Sequence, residues 1–313
     1  MIAGVDIGGT KIAVGMVNEY GRVQAKQELP TDPEGGYAQF LDRIVTMLGK
    51  VSAHADEQIT GIGIGSTGPV HPFTGEFGDV NFFPQWKGQN PVLHLKQIFQ
   101  VPVAMENDGD AAALGEAGWG AGRGKKTLIY ITVGTGIGVG IVLDGKVYRG
   151  VDDFHPEIGH HLIDPSGPLC ECGFRGCWES MCAGPALAKW FESSVPAEYP
   201  RPTPLNAKTI CELAQQGDVW AQRAVAREAR YLGLGLANLV TMFVPEIIIL
   251  GGSVMRSAVL FLDEMHRVVA SSCRLVPFEK TQLALASLGE DTNLIGAARV
   301  WYYRFAPEET SVR

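Results

Sequence analysis

Two similar stretches of sequence indicate how the chain folds. "DIGGTKIAVGMV", residues 6–17, and "TVGTGIGVGIVL", residues 132–143, each place a glycine-rich turn before a strand with period-two alternation. Positive φ costs glycine nothing, so both turns can point backbone N–H groups inward, and successive free amides make a nest for anionic oxygens. We therefore expect two related halves, each of which presents a phosphate-binding turn to a shared cleft.

Each turn also offers side chains that suit a phosphate. Thr10 and Thr135 add hydroxyl donors, and Lys11 adds a positive charge. A tight hairpin turn without a ligand is the alternative for either turn alone, but the match between them, with Gly251 and Gly252 after a third predicted strand, favours an anion site. Neither turn has the spacing of a P-loop, and the first does not match the dinucleotide-binding fingerprint. The candidate phosphate-binding residues of the two turns are Asp6, Gly8, Gly9, Thr10, Lys11, Gly134, Thr135, Gly136 and Gly138.

The bulk composition describes a folded protein without the features of a nucleic-acid or membrane protein. Of 313 residues, 46% are hydrophobic and 19% are charged, and the net charge is −8, whereas a nucleic-acid partner would call for a basic face. The N-terminal stretch lacks the basic leader and cleavage site of a signal peptide, and no later run of about 18 uncharged apolar residues predicts a membrane span. We therefore expect a cytoplasmic protein with neither a nucleic-acid nor a membrane partner.

Predicted strands alternate with predicted helices along the chain, which indicates an α/β protein. A chain of 313 residues exceeds the size at which one hydrophobic core keeps growing, so we expect two domains. The first is a small domain at 1–117, joined by a C-terminal helix at 291–313, and the second is a large domain at 118–290 that carries the cysteine cluster described below. The final helix has Asp291 or Thr292 as its expected cap.

A run of acidic and amide side chains follows a predicted strand in "VAMENDGDAAALGE". It places Glu106, Asn107, Asp108 and Asp110 at the carboxyl end of that strand, the edge at which α/β sheets bind ligands. A carboxylate there can accept the proton of a substrate hydroxyl, and the neighbouring amide can hold other hydroxyls. The alternative is a polar loop that makes turns and caps the next helix. For Asp6, the alternatives are a magnesium ligand and an acceptor for local amides.

Three of the six cysteines lie within "CECGFRGC", residues 170–177. With His160 they give the pattern H-x9-C-x-C-x4-C, which fits a closed zinc site of one imidazole and three thiolates, Cys170, Cys172 and Cys177. His161 is an alternative ligand, and buried free thiols or a thiol catalyst are alternatives to a metal. In a reducing compartment, clustered cysteines are metal ligands or catalytic thiols more often than disulfides. The remaining cysteines, which we expect to be ordinary buried thiols, are Cys182, Cys211 and Cys273.

Two glutamates flank the cysteine cluster. Glu157 precedes His160 by three residues, and Glu179 follows Cys177 by two. Neither belongs to the four-ligand set, so both are available for contact with another ligand. Exposed surface charge is the alternative interpretation for each.

Together these motifs resemble the repressor/open-reading-frame/kinase (ROK) family of sugar kinases, and most closely its bacterial glucokinase-like members. The resembling stretches, in family order over essentially the whole chain, are "DIGGTK", "ENDGDAAALGE", "VGTGIGVGIVLDG", "EIGHH", "CECGFRGCWES" and "IIILGGSV". The run "CECGFRGCWE" is the most specific of them. The resemblance implies an actin-like ATPase (ribonuclease H-like) duplicated fold, with two α/β domains and ATP in the cleft between them.

For the sugar, the resemblance implies that Asp108 is the general base that takes the proton from the 6-hydroxyl of glucose. His160 would bind a structural zinc ion through one ring nitrogen and a sugar hydroxyl through the other. The other implied sugar-binding residues are Gly68, Asn81, Asn107, Glu157 and Glu179. The loop "NFFPQWKGQ" and the segment "DDFHPEIGHH" depart from the family pattern, so N-acetylglucosamine, N-acetylmannosamine, mannose and fructose are alternative substrates.

For the nucleotide, the resemblance implies Mg-ATP, with its phosphates on both glycine turns, Mg²⁺ near Asp6 and the adenosine facing Gly252. It also implies a homodimer or a homotetramer. Two other functions are conceivable. A repressor of the same family would need a helix-turn-helix domain, for which the first predicted strand at Ile2 leaves no room. A non-catalytic sugar sensor would have no need of Asp108 and both phosphate turns.

Overall fold

The structure, a computed structural model, describes residues 1–306, which divide into two compact units. Within the described residues, unit 1 consists of Met1–Tyr130, Gly140–Pro156 and residues 286–306, and unit 2 consists of Ile131–Val139 and Glu157–Leu285. Residues 118–130 and 140–156 are thus grouped with unit 1, whereas the sequence-based boundary at 117 assigned them to the second domain. The reason for this grouping is that side chains of residues 140–156 pack on the acidic strand end of unit 1.

Within the described residues the chain forms two five-stranded sheets. The strands are β1 (Ile2–Ile7), β2 (Lys11–Val17), β3 (Val23–Pro30), β4 (Gly61–Ser66), β5 (Val103–Asn107), β6 (Leu128–Val133), β7 (Ile137–Leu143), β8 (Lys146–Val147), β9 (Ile247–Gly251) and β10 (Gln282–Leu285). The helices are α1 (Gly36–Ala55), α2 (Pro91–Phe99), α3 (Asp108–Trp119), α4 (Trp178–Cys182), α5 (Gly184–Ser194), α6 (Ala207–Gln215), α7 (Val219–Phe243), α8 (Leu262–Ser272) and α9 (Thr292–Phe305). The α/β class is confirmed. Over residues 1–306, none of the helices combines the length and the apolar character that a membrane span requires.

The two sheets have the same strand order. The first runs β3-β2-β1-β4-β5, and the second runs β8-β7-β6-β9-β10. Pairing directions correspond as well: β2 with β3 and β7 with β8 are antiparallel, whereas β4 with β5 and β9 with β10 are parallel. The sequence echo between residues 6–17 and 132–143 therefore falls on corresponding strands, which confirms an internal repeat.

The first sheet brings three strand ends to one edge. β1 pairs in parallel with β4, and β4 pairs in parallel with β5. Ile7, Ser66 and Asn107 occupy the same register position on these neighbouring strands. Since the chain leaves all three strands at this edge, the first glycine turn and the acidic strand end lie along the same border of the sheet.

Glycines allow helix α9 to pack directly on the first sheet. A Cβ atom on Gly63 would stand 1.9 Å from the carbonyl oxygen of Ala297, and one on Gly4 would stand 2.4 Å from that of Leu294. Both distances are sterically impossible for a side chain. The alternation of glycine and isoleucine in "GIGIGS" of β4 therefore reflects the close approach of a helix. Between these glycines, Ile64 is fully buried in the core that includes α1.

An aromatic cluster supports the long loop between β4 and α2. The rings of Phe83 and Trp86 stack with centroids 4.3 Å apart, and Phe40 of α1 lies 4.1 Å from Trp86. Phe77 packs edge-on against Phe83, and all four rings are buried. Burying an aromatic or aliphatic side chain stabilises a fold by about 1.5–3 kcal/mol. The loop that carries Asn81 therefore has an apolar core of its own.

In unit 2, helix α7 is the element on which α4, α5, α6 and α8 pack. Its first turn is capped by Asp218, whose carboxylate accepts the N–H of Ala221 at 2.8 Å. The indole N–H of Trp178 donates to the carbonyl of Tyr231 at 3.1 Å, and a Cβ on Gly235 would collide with the same indole at 2.0 Å. Helix α4, which begins directly after the last clustered cysteine, is thus anchored on α7.

The final helix begins where the sequence predicted. Asp291 occupies the N-cap position of α9, but its side chain does not cap the helix, because its carboxylate lies 2.5 Å from the ammonium group of Lys26. The hydroxyl of Thr292 donates instead to a backbone carbonyl of the preceding turn at 2.7 Å. The helix predicted at 291–313 is observed over Thr292–Phe305, and residues 307–313 of that prediction lie outside the described residues.

Candidate active site

The acidic strand end lies at the start of helix α3. β5 ends at Asn107, and Asp108 is the first residue of α3. The N–H of Gly109 donates to Asn107 Oδ1 and to Asp108 Oδ1, at 2.8 Å in each case. Asn107 thus caps the helix, as the alternative interpretation expected, while the same N–H orients the Asp108 carboxylate. The N-terminal end of the helix dipole stabilises negative charge at this position.

The side-chain amide of Asn107 lies beside Gly68. Because Oδ1 accepts the capping bond, Nδ2 is the group that faces Gly68, 3.0 Å from where a Cβ atom on that glycine would stand. Two of the predicted sugar-binding residues are therefore neighbours. Asn81 is exposed in a turn, and the ring of the next residue, Phe82, would contact a Cβ on Gly9 at 2.7 Å. The predicted sugar loop thus reaches the first glycine turn within unit 1.

Asp6 is electrostatically coupled to Asp108. The Oδ1 atom of Asp6 is buried and has no hydrogen-bond partner among the described residues. Burial, and after it the negative charge of Asp108, raises the pKa of Asp6 to about 7. Two carboxyl groups that repel each other in this way favour either a shared proton or a nearby cation.

The first glycine turn is closed by its own backbone. The N–H of Gly8 donates to the carbonyl of Lys11 at 2.9 Å, and that amide is therefore not available to an anion. The ammonium group of Lys11 lies 2.7 Å from the Glu28 carboxylate, which Lys26 also contacts at 2.7 Å. Both side chains are exposed, so this surface ion pair is weak, and the role of Lys11 at a phosphate stays a prediction. Thr10 is exposed at the tip of the turn.

The second glycine turn has the corresponding backbone closure in unit 2. The N–H of Gly134 donates to the carbonyl of Gly136 at 2.9 Å, and Thr135 is exposed between them. Gly252 has φ +91°, and a Cβ on it would stand 2.4 Å from the carbonyl oxygen of Val133. The structure therefore places Gly252 against this turn, where only glycine fits. The other predicted residue of the turn, Gly138, lies in β7.

Four side chains predicted as zinc ligands converge in unit 2. The ligand atoms of His160, Cys170, Cys172 and Cys177 all lie within 4.8 Å of one another. His160 Nδ1 is 3.4 Å from Cys170 Sγ, and Cys172 Sγ is 3.4 Å from Cys177 Sγ. Burial raises the pKa of the Cys177 thiol to about 12, so this group would become a thiolate at neutral pH only on a bound cation. A tetrahedral zinc site with Zn–S bonds of about 2.3 Å needs sulfur atoms about 3.8 Å apart, a spacing that lies between the 3.4 Å of Cys172 and Cys177 and the 4.8 Å within which all four ligand atoms fall.

Of the two neighbouring histidines, only His160 belongs to this cluster within the described chain. His161 directs its Nδ1 to the carbonyl oxygen of Ile158 at 2.6 Å, and its ring packs against Trp178. Burial lowers the pKa of His161, which keeps its imidazole neutral. The alternative ligand left open by the spacing therefore has a packing role instead.

Two glycines let the backbone fold round the cysteine cluster. Gly173 has φ +92° and Gly176 has φ +72°, both in the left-handed region that favours glycine. A Cβ on Gly176 would overlap the carbonyl oxygen of Asp164 at 1.5 Å. The N–H of Cys170 donates to the carbonyl of Phe174 at 2.7 Å, which closes a tight loop that contains Cys172.

Glu179 connects the cysteine cluster to the second glycine turn. Its Oε2 accepts the N–H of Ile137 at 2.9 Å, and its Oε1 lies 3.9 Å from His160 Nε2. His160 thus directs Nδ1 to the thiols and Nε2 to Glu179. Glu157 is exposed immediately before the helical turn at Ile158–His160, and its carbonyl accepts the His160 N–H at 3.0 Å.

Sequence reasoning missed the basic partners of the acidic strand end. Arg149 and Arg304 both contact Glu106, and His155 contacts Asp110. The two arginines are 43 and 198 residues away from Glu106 in the chain. No periodicity or motif spacing links residues so far apart, so only the fold could reveal these pairs.

Comparison with known proteins agrees with this geometry. Residues 2–303 match the ROK family. A glucokinase from Thermotoga maritima is 33% identical over 311 residues, 96% of each chain. An N-acetylmannosamine kinase from Yersinia pestis is 33% identical over 94% of this chain and 96% of its own. A xylose repressor from Bacillus subtilis is 32% identical over 69% of this chain and 54% of its own length.

Among solved structures, a ROK glucokinase from Streptomyces griseus in complex with glucose and AMPPNP is similar, with 33% identity and a TM-score of 0.80 over 95% of this chain and 97% of that one. Paired sheets with one strand order and a glycine turn in each define the two-domain actin-like ATPase class. The chain belongs to the ROK family, as its motifs predicted.

Proposed function

We propose that the protein is an ATP-dependent hexose kinase that phosphorylates the 6-hydroxyl of glucose, with Asp108 as the general base. The observation that carries the proposal is the carboxylate of Asp108 at the N-terminal end of α3, beside the Asn107 amide and coupled to Asp6. The glucokinase relative from Thermotoga maritima and the glucose and AMPPNP complex of the Streptomyces griseus enzyme support the choice of sugar and nucleotide.

Asp108 would accept a proton as the sugar oxygen attacks. A new O–P bond forms between that oxygen and the γ-phosphorus of ATP, the bond from phosphorus to the β–γ bridging oxygen breaks, and ADP leaves. Phosphoryl transfer of this kind depends mostly on positioning and charge stabilisation. The Gly109 N–H, at 2.8 Å, holds the Asp108 carboxylate in a fixed orientation before the sugar arrives, and this provides the positioning.

Sugar recognition would use the residues that the family resemblance implies. Asn107 would donate through Nδ2 beside Gly68, and Asn81 would contribute from its exposed turn. The other ligands would be Glu157, His160 Nε2 and Glu179. A metal ion on His160 Nδ1 would fix the ring plane and leave the proton on Nε2, so that nitrogen would act as a hydrogen-bond donor.

The nucleotide would be held by the glycine turns and by Gly252, with Mg²⁺ near Asp6. The unpartnered, buried Oδ1 of Asp6 and its repulsion by Asp108 support a cation at this position, since Mg²⁺ prefers carboxylate oxygen and would relieve that repulsion. Magnesium supplies charge neutralisation on the phosphates. The chain's own residues orient the reacting groups.

The cysteine cluster would hold a structural zinc ion. Three thiolates and one imidazole form a closed set of four ligands, which leaves no position for a reactive water. Zinc would therefore orient His160 and the start of α4 without taking part in the chemistry.

A substrate panel tests the proposal. ADP release is measured with Mg-ATP and glucose, mannose, fructose, N-acetylglucosamine or N-acetylmannosamine. We expect the highest kcat/KM for glucose. Highest activity on N-acetylmannosamine, the substrate that the Yersinia pestis relative's name gives, would keep the kinase and overturn the sugar. ADP release that no sugar stimulates would overturn the kinase itself and favour a sugar-sensing regulator.

A further inference from the structure

Asp110 and His155 form a buried pair next to the proposed general base. Asp110 lies in the first turn of α3, two residues after Asp108. Its Oδ2 is 2.9 Å from His155 Nδ1, and the two side chains are only 2% and 12% exposed. The other carboxylate oxygen, Oδ1, is buried and has no hydrogen-bond partner among the described residues. The contact with the imidazole is therefore the principal hydrogen bond of this carboxylate.

A second buried acid lies on the other side of Asp108 and has basic partners as well. Glu106, the residue before Asn107, is 1% exposed and contacts Arg149 Nη2 at 2.5 Å and Arg304 Nη2 at 2.7 Å. Both guanidinium groups lie over the ring of Phe73, at 5.4 and 4.3 Å. The strand end and the first helical turn are thus each tied, through an acid, to a basic side chain from elsewhere in unit 1.

Stability alone is a weak explanation for the Asp110–His155 pair. Burying two polar groups costs solvation, and replacing a buried ion pair with apolar residues is often neutral or favourable for folding. A backbone contact already supports this turn, since a Cβ on Gly140 would stand 2.1 Å from the carbonyl oxygen of Gly109. The approach of Gly140 is a packing contact without direction. The Asp110–His155 pair adds a directional hydrogen bond on the face of the turn that carries Asp110.

We propose that His155 is a positioning residue that holds Asp108 in its reactive orientation through Asp110, an inference that rests on the proposed function. Without the imidazole, Asp110 becomes a buried carboxylate that lacks this bond, and the first turn of α3 would shift to hydrate it. Asp108 belongs to the same turn and would move with it. A displacement of about 1 Å at a reacting group can cost on the order of 100-fold in rate.

Three variants test this role. His155→Ala removes the donor, and we expect kcat to fall by roughly 10- to 100-fold while KM for the sugar changes by no more than about twofold. His155→Asn places an amide N–H at the position of Nδ1, the ring atom that contacts Asp110, and we expect it to restore most of kcat. Asp110→Asn combined with His155→Asn replaces the pair with two amides, and we expect activity close to that of His155→Asn alone.

The matched control is Val51→Ala, which opens a cavity in the core under α1 and destabilises unit 1. We expect it to lower the melting temperature but to leave kcat unchanged. Equal losses of kcat in His155→Ala and Val51→Ala, or a change confined to KM, would overturn the positioning role. So would failure of His155→Asn to recover activity.

Hydrogen exchange separates this inference from the proposed function. In His155→Ala we expect the amides of residues 109–112 to exchange about tenfold faster or more, and those of β2 to be unchanged. If the wild-type protein phosphorylates no sugar but this local effect is seen, the proposed function fails and the structural link stands. Unchanged exchange at residues 109–112 would remove the link whatever the activity.

Discussion

The two sheets share one strand order, yet the residues at their corresponding ends differ in chemistry. In the first sheet, β1 carries Asp6 before its glycine turn, and β5 leads into Asp108 at the start of a helix. In the second sheet, the position that corresponds to Asp6 is Thr132, and the chain after β8 contains the cysteine cluster, His160, Cys170, Cys172 and Cys177. The same scaffold thus carries carboxylates in one half and a candidate metal centre in the other.

The internal repeat therefore fixes corresponding strand-end positions in the two sheets, and each half carries different side chains at these positions. Both halves close the glycine turn with a backbone hydrogen bond, from Gly8 to Lys11 in the first and, one residue shorter, from Gly134 to Gly136 in the second. Only unit 1 places a candidate proton acceptor at the strand edge, and only unit 2, within the described residues, gathers thiols. Loss of the Asp108 carboxylate in unit 1 should therefore appear in the rate of reaction, and loss of a thiol of the cluster should appear in stability.

The largest effect is expected from Asp108→Asn. Loss of a positioned general base costs about 100- to 10,000-fold in rate, so kcat should fall by that factor while the sugar still binds. Steady-state kinetics and calorimetric titration with glucose provide the two measurements. Asp42→Asn, an exposed change on α1, is the control and should have no effect. Turnover at the wild-type rate in Asp108→Asn would remove the assignment of the base.

The corresponding change in unit 2 is Cys177→Ser. Removing one of four ligands should abolish stoichiometric zinc, and because structural zinc contributes to folding, we expect the melting temperature to fall by roughly 10 °C or more. Elemental analysis and thermal unfolding are the measurements. Cys273→Ala removes a buried thiol outside the cluster and should keep its zinc. Purified wild-type protein without metal, or a variant that retains it, would contradict the metal centre.

A pair of glycine substitutions tests how tightly the first sheet is packed. Gly63→Ala places a methyl group 1.9 Å from the carbonyl oxygen of Ala297 and should cost about 3 kcal/mol or more in the free energy of unfolding. Gly49→Ala, inside α1 with open space around it, should instead stabilise the protein by about 0.5–1 kcal/mol. Urea unfolding measures both. Equal stability of the two variants would show that α9 can move away from the sheet.

The last comparison concerns a buried acid of each unit. Glu116 accepts backbone N–H groups from Ala121, Ser287 and Leu288, whereas Glu228 of α7 is fully buried with both oxygens unpartnered in the described residues. Burial raises the pKa of Glu228 well above its usual value. The folded state therefore favours the protonated form, and stability is lost as the pH rises above the unfolded pKa, by about 1.4 kcal/mol per unit until the folded pKa is reached.

Glu228→Gln removes that titration. We expect the variant to gain stability relative to the wild type as the pH is raised from 5 to 8, which urea unfolding at each pH measures. Glu116→Gln should instead lose about 1–3 kcal/mol at every pH between these limits, because backbone donors lose a charged acceptor. A constant difference between Glu228→Gln and the wild type across this range would show that Glu228 is ionised in the fold.

Local patterns predicted the elements of the fold well. The period-two alternation in residues 6–17 predicted β2, and the final helix predicted from Asp291 or Thr292 is observed as α9. The cysteine cluster could also be predicted. Its three cysteines lie within eight residues, and the glycines between them allow the backbone to turn tightly. What decides between His160 and His161 is ring orientation, which spacing does not encode.

Contacts between distant segments could not be predicted. Lys11, which is predicted to bind phosphate because it follows a glycine turn, has an ion-pair partner that spacing does not reveal: the pairing of β2 with β3 brings Glu28 within 2.7 Å of its ammonium group. Asp291 is predicted to cap α9, but its carboxylate lies 2.5 Å from the ammonium group of Lys26 instead. In both cases the charged partner comes from another strand, and only the fold shows that it is near.

The two nitrogens of His160 lie in different surroundings, with Nδ1 3.4 Å from a thiol sulfur and Nε2 3.9 Å from Glu179. Selective ¹⁵N labelling of histidine would therefore give two separate resonances from one ring. The Nδ1 signal would report occupancy of the thiol cluster, and the Nε2 signal would report events at the neighbouring carboxylate. One side chain thus provides a spectroscopic probe of both places without any substitution.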